Sequence, residues 1–328
     1  MRRILAVALA ALFLCSCGQT EIPDPVVSQT EPAIVATEPV ATQTVDPIDE
    51  VQALVEQPPM PVSIVLEPEA SGELEKRCDD GIIDYSHTED GYVMVCYTGE
   101  TEQRLKVLVK GPEITYAYDL PAGEWTTFPL SDGNGSYNVG MYINVTGNKY
   151  AVVMTADFAV DLSDEFAPFL RPNQYVNYIH APNTVQLGAE LTVGIEHPLE
   201  KVAAVYDHVI HSFAYDYEKA ATVQSGYLPD LDSVLAEEKG ICFDYAALMT
   251  AMLRSQNVPC KLVVGYAGTV YHSWISVWTE ENGWIDGAIF FDGNTWKRMD
   301  PTFASSGEGD PEIMDFIENG EYRALYLY

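Results

Sequence analysis

The run Gly240-Ile-Cys-Phe-Asp-Tyr245 places a cysteine two residues after a helix-breaking glycine. Residues 243–256 then have helical character, with Leu248 and Met252 on one apolar face. This pattern predicts that Cys242 lies at a helix N-terminus, where the helix dipole and the unpaired N–H groups favour a thiolate. The same N–H groups are placed to stabilise the oxyanion of a tetrahedral intermediate.

Two later motifs carry the groups that an attacking thiol needs. An imidazole follows in Tyr271-His-Ser-Trp274, and a carboxylate follows in Met299-Asp-Pro-Thr302. A thiol attacks a carbonyl as its thiolate, so it needs a base, and the base needs an acceptor that holds its tautomer. The chain order therefore predicts a catalytic triad of nucleophile, base and orienting acid: Cys242, His272 and Asp300.

Together with Val258-Pro259 and Gly265-Tyr266, these motifs resemble the bacterial transglutaminase-like core, a family with the papain fold. The similarity covers residues 195–305, and its three separated motifs agree in order and spacing. The resemblance implies an α+β fold in which the cysteine helix packs on an antiparallel sheet. It also implies that the family's catalytic residues correspond to Cys242, His272 and Asp300. We expect no metal and no cofactor, since no acidic loop supports the calcium dependence of animal relatives.

The stretch 284–296 is longer than the family pattern and predicts an added hairpin. This insertion makes Asp286 and Asp292 alternatives for the orienting acid. Asp300 is preferred because the Pro-Thr that follows it matches the family pattern.

The N-terminus predicts export. Met1-Arg-Arg3 is basic, and the apolar run 4–14 is too short to span a bilayer. Leu14-Cys-Ser-Cys17 resembles a lipobox, so residues 1–17 are interpreted as a lipoprotein signal peptide with Cys17 as the lipidated residue. The predicted location is extracytoplasmic, with a lipid anchor in the bacterial cell membrane. The alternative is an ordinary secretory signal.

Two regions separate the signal from the cysteine domain. Residues 18–74 are rich in Pro, Thr and Glu and lack aromatic residues, which predicts a disordered tether. Residues 75–165 contain short apolar or alternating runs divided by turn signals, which predicts an all-β sandwich of immunoglobulin-like type. Residues 166–328 are then a connector followed by the catalytic domain.

Charge and cysteine usage limit the function further. The chain has 49 acidic against 17 basic residues, which argues against nucleic acid and against electrostatic adhesion to anionic lipid. Cys78 and Cys96 flank a short segment, and a disulfide between them would add about 3 kcal/mol of stability. Free thiols are the equal alternative. Cys260 begins an apolar strand and is interpreted as a buried structural thiol.

These observations predict a surface-anchored cysteine acyl-transfer enzyme that acts through a thioester on peptide or glutamine-type amide bonds. Hydrolysis is favoured over crosslinking because the setting is a bacterial envelope. The expected substrate is a protein or peptide, including one associated with the cell wall. The alternative is a non-catalytic transglutaminase-like module for binding or adhesion. Transfer to a small amine, as in arylamine acetyltransferases, fits the surrounding motifs less well.

Overall fold

The computed structural model of the protein describes residues 58–286, 288–291, 296–299 and 320–328. These ranges all fall within one unit, Glu56–Tyr328. Cys17, Asp292 and Asp300, which the sequence analysis names, lie outside the described residues, as does most of the predicted tether.

Residues 75–160 form two antiparallel four-stranded sheets. Alternate side chains of the second sheet point inward, as Val107 and Val109 do, because successive residues of a strand face opposite sides. The order of the first sheet is β1-β2-β3-β6, and that of the second is β5-β4-β7-β8. The strands are β1 (Glu75–Cys78), β2 (Gly81–Asp84), β3 (Tyr92–Tyr97), β4 (Leu105–Lys110), β5 (Thr115–Leu120), β6 (Thr126–Pro129), β7 (Gly135–Thr146) and β8 (Lys149–Val160). The prediction of a strand-rich N-terminal region is confirmed, and its immunoglobulin-like type stays a prediction.

The disulfide that the sequence leaves open is not formed in the structure. Cys78 and Cys96 are both free thiols, on β1 and β3 respectively, and β2 lies between them. Neighbouring strands are about 4.8 Å apart, so β1 and β3 are separated by roughly 10 Å. A disulfide requires Cα atoms closer than about 7 Å. The thiol of Cys78 instead contacts Met154 Sδ at 3.6 Å.

The end of the predicted tether belongs to the folded part. Residues 58–74 form neither helix nor strand but make specific contacts: the N–H of Ile64 donates to the carbonyl of Ser255 at 2.8 Å, and Gln256 Nε2 donates to Ser63 Oγ at 3.0 Å. The N–H of Leu74 donates to Ser86 Oγ at 2.8 Å. The tether prediction is therefore wrong at its C-terminal end, because apolar and polar groups of this segment find partners on distant elements.

In the described part of the chain, five α-helices follow the connector. They are α1 (Pro182–Leu191), α2 (Pro198–Ser212), α3 (Tyr217–Thr222), α4 (Leu231–Glu237) and α5 (Cys242–Ser255). Helix α2 buries one stripe, which includes Val202, Val205 and Val209, as their spacing along a helix requires. Helix α5 is buried from Asp244 to Ser255 and lies at the centre of the domain.

A four-stranded antiparallel sheet packs on α5. Its order is β13-β12-β11-β16, formed by β11 (Cys260–Ala267), β12 (Val270–Thr279), β13 (Gly283–Asp286) and β16 (Tyr322–Leu327). Two short strands, β9 (Ala214–Tyr215) and β10 (Lys239–Gly240), pair in parallel. Strands β11 and β12 pair antiparallel along the whole of β11. The hairpin expected at 284–296 is present but lies a few residues later, as β14 (Ala288–Phe291) and β15 (Trp296–Met299).

The strand-rich region and the helical domain share one hydrophobic core. Tyr118 on β5 contacts the rings of Tyr175 and Tyr328, at centroid distances of 5.5 and 5.7 Å. Tyr175 in turn contacts Phe243, the residue after Cys242, at 5.5 Å. Stacked and edge-to-face rings at such distances are favourable contacts. The second sheet is therefore linked to the start of α5 through Tyr175 of the connector.

Candidate active site

Cys242 is the first residue of α5, as the sequence predicts. Its predecessor Ile241 is extended, with φ −105° and ψ 175°, so the chain turns into the helix at this point. The first N–H groups of a helix have no partner within it, and they carry the positive end of the helix dipole. Cys242 is partly exposed, which leaves its thiol open to an approaching carbonyl.

A buried carboxylate anchors this helix start. Asp244 is fully buried, and its Oδ2 accepts from the N–H of Ile241 at 2.9 Å and from Lys219 Nζ at 2.6 Å. Its Oδ1 accepts from the Tyr227 hydroxyl at 2.6 Å. A Cβ at Gly240 would lie 2.8 Å from the Cβ of Asp244. Glycine is therefore required at position 240 because the side chain of Asp244 approaches it closely. This requirement adds to its role in breaking the preceding helix.

The same carboxylate holds one wall of the cleft. Lys219 and Tyr227 belong to the segment 215–227, much of which lines the space in front of Cys242. Burial, followed by the hydrogen bond to Asp244, raises the pKa of Tyr227 well above its usual value, so this residue stays a neutral donor. These partners of Asp244 could not be predicted from the sequence, because nothing local links it to residues 219 and 227.

His272 is the third residue of β12 and lies opposite Gly265 on β11. It is buried, with the rings of Trp274 and Tyr322 beside it at centroid distances of 6.2 and 6.4 Å. A Cβ at Gly265 would come within 2.9 Å of the Trp274 ring. The glycine on β11 thus makes room for the tryptophan that packs against His272.

Cys242 and His272 line one cleft of about 450 Å³. This volume lies in the range of small-ligand sites. The cleft has three walls: the end of the sheet with Tyr271 and Ser273, the segment 223–227, and the strand-rich region, which contributes Ala117 and Asp119. The structure therefore brings the predicted nucleophile and base to the same cleft, and the strand-rich region takes part in forming it.

Of the three acidic candidates, only Asp286 is described. It is exposed at the end of β13 and pairs with Ser276, four residues along β12 from His272. At about 3.3 Å per residue, this separation is roughly 13 Å, too far for a hydrogen bond to the imidazole. Burial lowers the pKa of Lys261 to about 8, and the negative charges of Asp286 and Glu165 partly oppose that shift. Strand β15 ends at Met299, directly before Asp300.

The other cysteine of the helical domain, Cys260, lies in surroundings that keep its thiol neutral. Cys260 is fully buried, and its Sγ lies 3.6 Å from Thr250 Oγ1. Burial raises its pKa to about 11. Its interpretation as a buried structural thiol agrees with this environment.

Within the described ranges, no group of three or more His, Cys, Asp or Glu side chains is arranged to hold a metal ion. The helices of the same ranges include none that is long and apolar enough to cross a membrane. His211 Nδ1 lies 2.7 Å from the carbonyl of Asp207, one turn earlier on α2.

Residues 185–301 match the sequence profile of the transglutaminase-like superfamily. The protein-glutamine gamma-glutamyltransferase of Pseudomonas aeruginosa is 29% identical over 160 residues, which are 44% of this chain and 20% of that protein. The uncharacterized protein YebA of Bacillus subtilis is 29% identical over 119 residues, or 30% of this chain and 16% of that protein. The chain therefore spans only a small part of the length of these relatives.

Among solved structures, the periplasmic domain of TgpA from Pseudomonas aeruginosa aligns with 79% of this chain and 86% of its own length, at 16% identity and a TM-score of 0.33. The sequence match covers the cysteine helix and the β11–β12 pair described above. This chain therefore contains a domain of the transglutaminase-like superfamily, at residues 185–301.

Proposed function

We propose that the protein is a cysteine acyl-transfer enzyme that acts through a thioester on peptide or glutamine-type amide bonds. One observation carries the proposal: Cys242, at the start of α5, and His272, on β12, line the same cleft. A partly exposed cysteine beside an imidazole, at the positive end of a helix, is the arrangement that activates a thiol.

The chemistry follows from these positions. The thiolate of Cys242 attacks the carbonyl carbon of the amide, and the N–H groups of the first turn of α5 stabilise the resulting oxyanion. His272 donates a proton to the leaving amine as the C–N bond breaks, which leaves the acyl group on sulfur. Water or a second amine then attacks the thioester carbonyl, and His272 accepts its proton. The C–S bond breaks, which releases the acyl product and regenerates the Cys242 thiolate. In this proposal Asp300 accepts a hydrogen bond from His272 and holds its tautomer.

The proposal also identifies the groups that donate and accept the acyl group. The Pseudomonas aeruginosa relative named protein-glutamine gamma-glutamyltransferase supports a glutamine side chain as one donor. We propose water as the main acceptor, because the sequence indicates an envelope protein that meets peptide bonds in an aqueous setting. Protein or peptide substrates, including those associated with the cell wall, then reach the cleft from outside the cytoplasm.

The experiment separates these acceptors and tests catalysis itself. Envelope proteins are incubated with the full-length protein in H₂¹⁸O that contains a biotinylated primary amine, and the products are identified by mass spectrometry. Hydrolysis places ¹⁸O in new carboxyl groups, and amine transfer places biotin on glutamine. We expect mainly incorporation of ¹⁸O into new carboxyl groups. Cys242→Ala should abolish this incorporation. Cys78→Ala, which removes an exposed thiol elsewhere, should retain it. Identical products from the wild type and Cys242→Ala would favour a non-catalytic binding module.

The location is proposed from residues 1–17, with Cys17 as the lipid-bearing residue. A fatty-acid probe fed to cells should label the protein, and Cys17→Ala should abolish the label. Cys15→Ala is the matched control and should keep it. Labelling that survives in Cys17→Ala would contradict the lipid anchor and leave an ordinary secretory signal.

A further inference from the structure

Three hydrogen-bond donors converge on the carboxylate of Asp244, two residues after the reactive cysteine. The N–H of Ile241 donates to Oδ2 at 2.9 Å, Lys219 Nζ donates to the same oxygen at 2.6 Å, and the Tyr227 hydroxyl donates to Oδ1 at 2.6 Å. An ionised carboxylate only accepts hydrogen bonds, whereas the amide of an asparagine would set an NH₂ donor against at least one of these donors. The arrangement therefore requires a carboxylate, and with it a negative charge.

That negative charge is unfavourable for the nucleophile. Cys242 and Asp244 are the first and third residues of α5, so both lie in its first turn. A like charge at this distance disfavours the thiolate, and it also offsets the positive end of the helix dipole. Asp244 is fully buried, so salt and water screen its charge little. Without compensation, Asp244 would oppose the activation of Cys242.

Lys219, on α3, supplies the opposite charge. Its Nζ forms an ion pair with Asp244 Oδ2, donates to the Tyr227 hydroxyl at 2.6 Å and lies 4.4 Å from the centre of the Tyr227 ring. The three side chains form a closed ring of hydrogen bonds, in which Tyr227 accepts from the lysine and donates to the carboxylate. The Lys219 side chain is only 25% exposed, so the ion pair is held where charges interact more strongly than in water.

The other charges near this ring are acidic. Burial and then Asp244 raise the pKa of Tyr227, and the charges of Asp230 and Glu237 add to that shift. These two acidic groups strengthen the need for a cation at this place. Within the described residues, the cation that pairs with Asp244 is Lys219.

On the cleft side, the ionisable groups beside Cys242 include His272 and Tyr271 of β12. Lys106 of β4 and Asp119 of β5 also line the cleft, but they pair with each other at 2.7 Å, so their charges largely cancel at the thiol. Burial raises the pKa of Tyr271, so its hydroxyl stays neutral below about pH 10. The remaining ionisable side chains that line the described cleft are tyrosines: Tyr175, Tyr215, Tyr227 and Tyr328. His272 therefore supports the thiolate from the cleft, and Lys219 acts from behind the helix start.

We propose that Lys219 is a positioning residue for the acyl-transfer reaction: it neutralises the buried carboxylate of Asp244 and so keeps Cys242 in its thiolate form. Asp244 sets the geometry of the helix start, and Lys219 removes the electrostatic penalty of that carboxylate. Because Lys219 belongs to the segment 215–227, one ion pair links the wall of the cleft to the reactivity of the thiol. The inference rests on the proposed function, in which Cys242 is the nucleophile.

The test is the pH dependence of Cys242 alkylation, which needs no known substrate. The thiolate displaces iodide from iodoacetamide and forms a thioether, and peptide mapping gives the rate from about pH 5 to about pH 10. Lys219→Met should move the midpoint of the rate upward by about one pH unit, so that the rate below the midpoint falls about tenfold. The plateau in alkali should stay unchanged, because the ionised thiol is still accessible. A merely structural role would lower the rate at every pH.

Two variants of the carboxylate check the sign of the effect. Lys219→Met combined with Asp244→Asn removes both charges and keeps an acceptor for the N–H of Ile241, so the midpoint should return close to that of the wild type. Asp244→Asn alone leaves the positive charge unopposed and should lower the midpoint. This single variant keeps the proposal testable where Lys219→Met does not fold.

Lys239→Met is the matched control for the loss of a positive charge. Lys239 precedes Cys242 by three residues, but its side chain is 46% exposed and pairs with Asp216 at 3.1 Å. An exposed charge is screened by solvent, so this variant should hardly move the midpoint. An equal shift in Lys239→Met and Lys219→Met would assign the effect to overall charge and overturn the specific role of Lys219.

Failure of the inference and failure of the proposed function give different results. If the wild-type midpoint lies well below the value of about 8.5 for a free cysteine, but Lys219→Met leaves it unmoved or shares its shift with the double variant, the role of Lys219 is refuted and the proposed function stands. If the wild-type midpoint lies at about 8.5 or above, the proposed function fails and the inference fails with it.

Discussion

The start of α5 and the start of β11 each carry a cysteine, but their surroundings are opposite. Cys242 is partly exposed at a helix N-terminus and shares a cleft with His272. Cys260 is fully buried, and desolvation raises its pKa to about 11. The residue type is the same at both positions, so the difference in reactivity that we expect comes from the surroundings. At Cys242 the N–H groups of the helix start and an imidazole favour a thiolate, whereas burial of Cys260 penalises one.

The largest effect is expected at Asp300, the residue that we propose orients the imidazole. Asp300→Asn should reduce the turnover of an acyl substrate by about a thousandfold or more, because the amide favours the wrong tautomer of His272. Asp286→Asn is the matched control and should change turnover little, since Asp286 is distant from His272 along the sheet. Steady-state kinetics on the substrate from the ¹⁸O experiment measure both. A large loss of turnover in Asp286→Asn but not in Asp300→Asn would show that Asp286, in the inserted stretch, is the orienting acid.

The second prediction concerns the two thiols directly. At mildly acidic pH, iodoacetamide should alkylate Cys242 at least about tenfold faster than Cys260, whose raised pKa leaves almost no thiolate below about pH 9. His272→Ala should slow the alkylation of Cys242 at this pH severalfold and leave that of Cys260 unchanged, because only the helix terminus then stabilises the Cys242 thiolate. Peptide mapping of the labelled sites against pH gives the two rates. Equal and slow labelling that rises only in alkali would count against catalysis.

The third prediction concerns the support of the reactive thiol. Lys219→Met should lower the free energy of unfolding by about 3 kcal/mol, because it leaves the buried carboxylate of Asp244 without its ion pair. Lys239→Met removes a more exposed pair, with Asp216 at 3.1 Å, and should cost less than about 1 kcal/mol. Urea unfolding measures both. Equal losses of unfolding free energy in the two variants would show that the Lys219–Asp244 ion pair does not stabilise the start of α5 more than an exposed pair would.

The smallest effect is expected at the structural thiol. Cys260→Ala should lower stability by about 1 kcal/mol, because it opens a small cavity under α5. Cys78→Ala, at an exposed position, should change it by less than about 0.5 kcal/mol. Neither variant should alter the alkylation of Cys242. A loss of Cys242 reactivity in Cys260→Ala would mean that the two thiols are coupled.

Much of the catalytic domain could be predicted because its signals are local. Gly240, Cys242 and Asp244 lie within one helical turn of each other, and the apolar stripe of α2 and the pairing of β11 with β12 follow from spacing alone. Helix α1 was missed for a physical reason. Its N-cap, Ala181, has no side-chain acceptor, and the carboxylate of Asp232 on α4 accepts from the N–H groups of Asn183 and Thr184 instead.

The sequence by itself determined the order of the reactive groups, the helix start at Cys242 and the strand-rich character of the first region. Only the tertiary structure decided that β5 forms a wall of the cysteine cleft, that Asp244 holds Lys219 and Tyr227, and that Cys78 and Cys96 lie on non-adjacent strands. The reason is the range of the interactions. Helix starts and strand periods depend on a few consecutive residues, whereas cleft walls, buried ion pairs and disulfide distances depend on residues that meet only after the chain has folded.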